Sequence, residues 1–297
     1  MSTILSGAEY LALPRESETW LLKYLLPVGG AMTLYGDPKI GKSYAAIQLA
    51  LALTGAETHW MEFPVVTVGA VVYVQLDTPR SLWASRLEQL QATGEPIGQL
   101  HLADRETLNT WPFDILLPSH FELLLEAVKQ IAPIAVVIDT VREAHSGDEN
   151  DSTTMRNVIA ALVAATQPAA LILISHARKP NGDYPPDLMT DQRGSSYVVG
   201  RMDAIVRFTK KRLYYSGRAI EEGSMKISRQ DSGFWEVDNS EWMIHVKAVL
   251  ADPSLTSLRQ RAASLATHTG KGEEACRSAL RRLGESAGPI GGSTTRP

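Results

Sequence analysis

Gly36-Asp37-Pro38-Lys39-Ile40-Gly41-Lys42-Ser43 is the segment of this chain whose residue types and spacing do the most specific chemistry. Its two glycines let a backbone wrap closely, so that several N–H groups converge on one anion at the start of a helix. Lys42 adds a mobile cation for the β and γ oxygens of a triphosphate, and the Ser43 hydroxyl is a ligand for Mg²⁺. Together with Tyr44, the next residue, these positions form the expected cofactor site, a P-loop for ATP and Mg²⁺. The cation also needs a carboxylate, reached through water. Asp139, at the end of the apolar run Ile134-Ala135-Val136-Val137-Ile138, stands where P-loop proteins place that aspartate, so Ser43 and Asp139 are the expected metal pair.

Such residues work only when strands and helices hold them. Ala31-Met32-Thr33-Leu34-Tyr35 reads as a strand entering the Gly-rich turn, and Tyr44 to Leu53 as an Ala/Leu-rich helix stopped at Thr54-Gly55. Alternation continues with a strand over 71–76, helices over 81–92 and 119–131, and the strand 134–138. A helix capped by Ser152 then runs to about Thr166, before the strand 170–174. Fully apolar strands separated by helices imply a parallel sheet covered on both faces. After residue 180 the pattern changes. Residues 181–192, rich in Pro, Gly and Asp, read as a long loop. The runs 204–209, 213–216, 224–228 and 234–237 read as antiparallel strands joined by Gly-containing turns.

The expected organisation is an α/β core over 1–250, with Trp20 to Leu26 as a short buried or docking helix near its start. A small helical module follows over 254–285, and residues 286–297 form a disordered tail. Two helical patterns in the module, 257–266 and 273–283, flank a Gly-containing turn as in a helix-turn-helix. Arg277, Arg281 and Arg282 fall on or near one face of the second.

Composition narrows the setting. A hydrophobic share of 44% with 21% charged residues is that of an ordinary globular protein with a sizeable core. The single cysteine, Cys276, leaves no internal disulfide and fits a reducing cytoplasm. No apolar stretch approaches the roughly 20 residues of a membrane helix, and the first residues lack the basic and apolar regions of a signal peptide. A net charge of −4 excludes a uniformly basic surface, but nine Lys/Arg face four Asp between Ala177 and Ala219. Local basic patches of this kind suit nucleic-acid contact.

Over about residues 18–238 the chain resembles the RecA-fold, AAA-type ATPases that act as hexameric replicative helicases of the plasmid RepA type. The likeness rests on the P-loop, on Tyr73-Val74-Gln75-Leu76-Asp77, on the Asp139 strand and on Ser175-His176 with Arg193-Gly194-Ser195-Ser196. It implies that Asp77 is the catalytic base, shorter than the family's usual Glu, and that His176 senses the γ-phosphate. It further implies that Arg178, Lys179, Arg193, Ser195 and Ser196 contact single-stranded DNA, and that Arg218, with Arg207 in reserve, is an arginine finger inserted into a neighbouring subunit. Lys42, Asp77, Asp139, His176 and Arg218 are then the catalytic set.

The resemblance implies a phage or plasmid ring motor on single-stranded DNA, self-associating as a hexamer, with other replication proteins as expected partners of the C-terminal module. Two alternatives stay open: a RecA-like recombination or loading ATPase without unwinding, and a nucleotide-gated regulator that binds DNA or protein.

Overall fold

The computed structural model describes residues 4–12, 19–92, 97–178, 188, 190–192 and 196–238, and near the C-terminus 248–249, 252, 254–269, 272–273, 276–277 and 280. Two compact units divide the chain, Met1–Val237 and Asp238–Pro297.

Nine strands of the first unit form one sheet. In chain order they are β1 (Ala31–Gly36), β2 (Val71–Gln75), β3 (Leu100–Asp104), β4 (Ala135–Asp139), β5 (Ala170–His176), β6 (Ala204–Phe208), β7 (Arg212–Gly217), β8 (Ile220–Arg229) and β9 (Trp235–Val237). Across the sheet the order is β9-β8-β7-β6-β1-β5-β4-β2-β3. From β3 to β6 every pairing is parallel, and from β6 to β9 every pairing is antiparallel. This is the mostly parallel α/β core with antiparallel late strands of a RecA-like P-loop fold.

The strands are apolar throughout because both faces are covered. Met32 and Leu34, Val71 and Tyr73, Val137, and Ile172 and Ile174 enter one core layer with α1 (Lys42–Leu53) and Trp83 of α2 (Arg80–Ala92). Their chain neighbours Tyr35, Val72, Val74, Val136, Ile138, Leu171 and Leu173 enter the other, with α3 (Pro118–Ile131), α4 (Ser152–Thr166) and α5 (Ser196–Arg201). Period-two alternation sends adjacent side chains to opposite layers, so a run apolar at every position is what a doubly covered strand requires.

The structure departs from the sequence reading in four places. Residues 20–26 are not a helix but an antiparallel hairpin, Trp20–Leu22 with Leu26–Pro27, turned at Tyr24 with φ 64°. Leu21, Leu22, Leu25 and Leu26 are all buried, and Leu22 also bridges Val65, so a strand partner overrides the local helical pattern. Strand 204–208 begins the late run but pairs parallel with β1, extending the parallel part by one strand. The cap of α4 is Asp151, whose carboxylate accepts from Thr153 N and Thr154 N, rather than Ser152. Finally β3 went unread, because an edge strand with exposed His101 and Leu102 lacks the apolar run of its neighbours.

In the C-terminal unit, helix Leu258–Thr269 covers the first helical pattern. Ala262, Leu265, Cys276 and Leu280 share a small core with Val249. The second pattern and the tail fall largely outside the described residues. Among the described residues no helix is long and apolar enough to cross a membrane.

Candidate nucleotide site

Parallel strands bring their C-terminal ends to one edge, where α/β proteins bind ligands. Register places Gly36 of β1 beside His176 of β5, and Gln75 of β2 beside Asp139 of β4. The P-loop leaves that edge between Gly36 and α1. A Cβ at Gly36 would collide with the Phe208 carbonyl oxygen, and Gly41, the N-cap of α1, sits at φ 98°, where glycine is favoured.

Gly41 is also held from the antiparallel end of the sheet. Trp235 Nε1 donates to the Gly41 carbonyl at 3.1 Å, and the Trp235 backbone exchanges two hydrogen bonds with the Gln48 amide at 2.8 and 3.1 Å. Arg229 lies over the Tyr44 ring at 4.3 Å, and Arg86 over the same ring at 5.1 Å. The late strands therefore clamp the first turns of the P-loop helix and set a ring with two guanidinium groups beside it.

Lys42 is buried in this loop. Its Nζ donates to the Gly36 and Asp37 carbonyls, both at 2.8 Å, and stands 3.4 Å from His176 Nδ1. Burial pushes its pKa down to about 8, against the upward pull of Asp139, Asp37 and Asp77. The 3.4 Å distance fits the His176 tautomer in which Nδ1 accepts from the ammonium and Nε2 carries the proton.

Asp139 is buried at 1% exposure, and desolvation raises its pKa. The hydrogen bond from Tyr73 Oη, at 2.8 Å to Oδ2, and the nearby Ser43 hydroxyl oppose that rise. Among the described residues its Oδ1 has no partner in hydrogen-bond geometry. An ionisable oxygen buried without a donor, close to the P-loop hydroxyl, is a donor set that fits a hydrated Mg²⁺. Ser43 and Asp139 would hold that ion, which supplies positive charge to the phosphates when bound.

Beyond β2, Gln75 Oε1 accepts from Asp77 N at 2.6 Å and Thr78 N at 2.9 Å, fixing the turn that carries Asp77. The Asp77 side chain is exposed, and its charge acts on both Lys42 and Asp139. Lys42, Asp77, Asp139 and His176 thus stand on one edge of the sheet.

The segment after His176 is tied back to the sheet. Ala177 bridges Gln192, Arg178 N donates to the Asp191 carbonyl at 2.7 Å, and Tyr35 Oη donates to the Leu188 carbonyl at 3.0 Å. Arg207 is buried and ion-paired with Asp191, so it serves this segment and is unavailable as a finger for a neighbour. Arg178 is exposed next to the nucleotide edge. Ser196 opens α5, while Lys179, Arg193 and Ser195 lie outside the described residues.

Arg218 sits at the opposite end of the sheet. Its N–H donates to the Asp203 carbonyl at 2.9 Å and its guanidinium pairs with the Asp203 carboxylate at 3.4 Å, beside the start of β1. The exposed basic turn on the nucleotide edge of these strands is Lys210-Lys211, between β6 and β7. Sequence reasoning passed over that turn, the role of Tyr73 toward Asp139 and the Trp235 clamp. A β-hairpin tip carrying two lysines was a readable signal; the other two are contacts between distant parts of the chain.

A family model described as an AAA domain matches residues 5–182, which include the P-loop, Asp77, Asp139 and His176. The match spans more than half of the 297 residues. This chain belongs to the AAA domain family and is a P-loop ATPase.

Proposed function

We propose that this ATPase is a ring motor on single-stranded DNA, a replicative helicase of phage or plasmid type in which several copies of the chain assemble as a hexamer. One observation carries the reading: Lys42, the P-loop cation, stands 3.4 Å from His176, and the chain runs from His176 into the basic segment that begins at Arg178. A change at the γ-phosphate is felt one residue pair away from the expected DNA contacts. Arg178, Lys179 and Arg193 supply backbone cations, and Ser195 and Ser196 supply small polar donors, which suits a binder indifferent to base sequence.

In this reading Lys42 and His176 hold the γ-phosphate and Ser43 and Asp139 hold Mg²⁺. Asp77, anchored through Gln75, orients and deprotonates the attacking water. Arg218 completes the site of a neighbour, where a guanidinium stabilises charge on the transferred phosphoryl group. Its 63% side-chain exposure supports a role outside its own subunit.

ATP turnover measured with and without single-stranded DNA, together with forked-duplex unwinding and native mass, tests the proposal. A DNA-stimulated hexamer that unwinds is the expected result. Turnover indifferent to DNA overturns the motor and favours the nucleotide-gated regulator, for which the short Asp77 is the supporting feature. Arg218→Ala is expected to abolish turnover with ATP binding intact; turnover retained there but lost on changing Lys210 and Lys211 moves the trans donor to that turn.

A further inference from the structure

His145 is buried at 3% exposure, and neither of its ring nitrogens has a partner in hydrogen-bond geometry among the described residues. The Gly147 backbone lies near the ring, outside that geometry. Gln192 is buried too. Its amide donates to Thr33 Oγ1 at 3.1 Å and to Ser175 Oγ at 2.8 Å, while its carbonyl oxygen Oε1 has no partner in hydrogen-bond geometry among the described residues. His145, Gln192, Ser175 and His176 line one cavity of about 20 Å³.

Buried polar atoms are almost always paired, so three unpartnered ones on the residues around one cavity point to a guest that pairs them. A cavity of roughly this size takes a single water. Burial first, and then the Arg142 charge, lowers the His145 pKa, which keeps the ring neutral at pH 7 with one nitrogen donating and one accepting. Gln192 Oε1 can only accept. A water that accepts from the imidazole N–H and donates to Oε1 satisfies both.

The two walls of the cavity belong to different parts of the site. His145 follows the 3₁₀ turn Val141–Ala144, which continues from Asp139, and Arg142 Nη1 donates to the His145 carbonyl at 3.3 Å. Gln192 is bridged to Ala177, the residue after His176.

We propose that a water joining His145 to Gln192 beside His176 couples the segment after Asp139 to the segment after His176, with His145 as the positioning residue. Nucleotide state at His176 then reaches residues 190–192 through a joint anchored on the Asp139 strand. The inference rests on His176 facing the γ-phosphate, and it does not depend on DNA being the partner.

The test uses the full chain without DNA. His145→Phe keeps the ring volume and removes the hydrogen bonds; His145→Gln keeps a donor and an acceptor; Gln192→Met breaks the joint from its other side. His145→Phe and Gln192→Met should each lower kcat by about tenfold with KM nearly unchanged, and the double variant should be no worse than the poorer single one. His145→Gln should retain most of the rate. Hydrogen exchange at amides 177–178 and 190–192 should respond to a non-hydrolysable ATP analogue in the wild type and lose that response in either bridge-breaking variant. Additive losses, or an intact exchange response in Gln192→Met, overturn the proposal even where His145→Phe does not fold. An intact bridge signature in a protein whose turnover ignores DNA supports the coupling and overturns the motor alone.

Discussion

Replacing Lys42 by methionine should stabilise the nucleotide-free protein at pH 7 while destroying nucleotide binding. The lysine is 6% exposed, and burial takes its pKa from 10.5 to about 8 in spite of the three carboxylates that pull the other way. At 1.36 kcal/mol per pH unit, that drop sets roughly 3 kcal/mol against the folded state whenever the ammonium is charged. The sign follows from proton binding: the unfolded chain holds this proton more tightly than the folded one. The associated stability is therefore full above pH 10.5 and is lost as pH falls through 8. Methionine is about as long and carries no charge, but it removes the donor from the Gly36 and Asp37 carbonyls, a loss of about 1–2 kcal/mol. The net gain of about 1–2 kcal/mol corresponds to a rise in Tm of roughly 3–6 °C for a protein of this size. Thermal unfolding of both proteins at pH 7 and pH 10 measures it. At pH 10 the wild-type lysine is largely neutral, so the difference should shrink. With Mg²⁺ and ATP the order should invert, because only the wild type gains binding free energy. A variant less stable than the wild type at pH 7, or an advantage that persists unchanged to pH 10, would refute the buried-cation reasoning.

Tyr73→Phe removes the hydroxyl that holds Asp139 Oδ2 at 2.8 Å; half-saturating Mg²⁺ for turnover should rise by about 10–100-fold with Tm little changed, and an unaltered Mg²⁺ titration would remove Tyr73 from the site. Arg207→Met breaks the ion pair that anchors Asp191; since the aspartate is about a third exposed, the cost should be near 1–3 kcal/mol, read by urea unfolding, with nucleotide affinity preserved. Asp77→Asn should reduce turnover by at least about 100-fold with ATP binding retained, and an equally active variant would transfer the role of base to another group.

What was legible in the sequence was local. The P-loop declares itself within eight residues, and Asp139 and His176 close apolar runs long enough to be read as buried strands. Helix 118–131 carries its own Pro start. Contacts between distant segments left no such trace. Trp235 reaches Gly41 across 194 positions, and no residue near either one announces the meeting. The leucine pairs of residues 20–26 fit a helix face as well as a hairpin, and the choice was made by Val65, some forty residues on. Arg218 and Lys210-Lys211 were both visible as basic turns, but only the direction of β6 and β7 decides which of them shares an edge with the P-loop.

The structure also locates the site without the motif. Folded proteins pair their buried polar atoms, and the exceptions gather where function has overruled stability. Among the described residues, Gln75 Nε2, Asp139 Oδ1, Thr140 Oγ1, both His145 nitrogens and Gln192 Oε1 make up more than half of the buried polar side-chain atoms without partners in hydrogen-bond geometry. They belong to the ends of β2 and β4, the turn that follows β4, and the residue bridged to Ala177 after β5; Trp83, Arg86, Thr110 and Arg207 carry others elsewhere. Lys42 and Asp139 have pKa values displaced toward neutrality on the same edge, each by burial. A fold selected for stability alone would replace these groups with apolar ones at little cost. Their concentration on one edge is what a site requires when its charges are to be completed by a triphosphate and a divalent cation. Because the same edge carries Gly41 and the clamp from Trp235, the polar exceptions and the P-loop identify one place by independent routes.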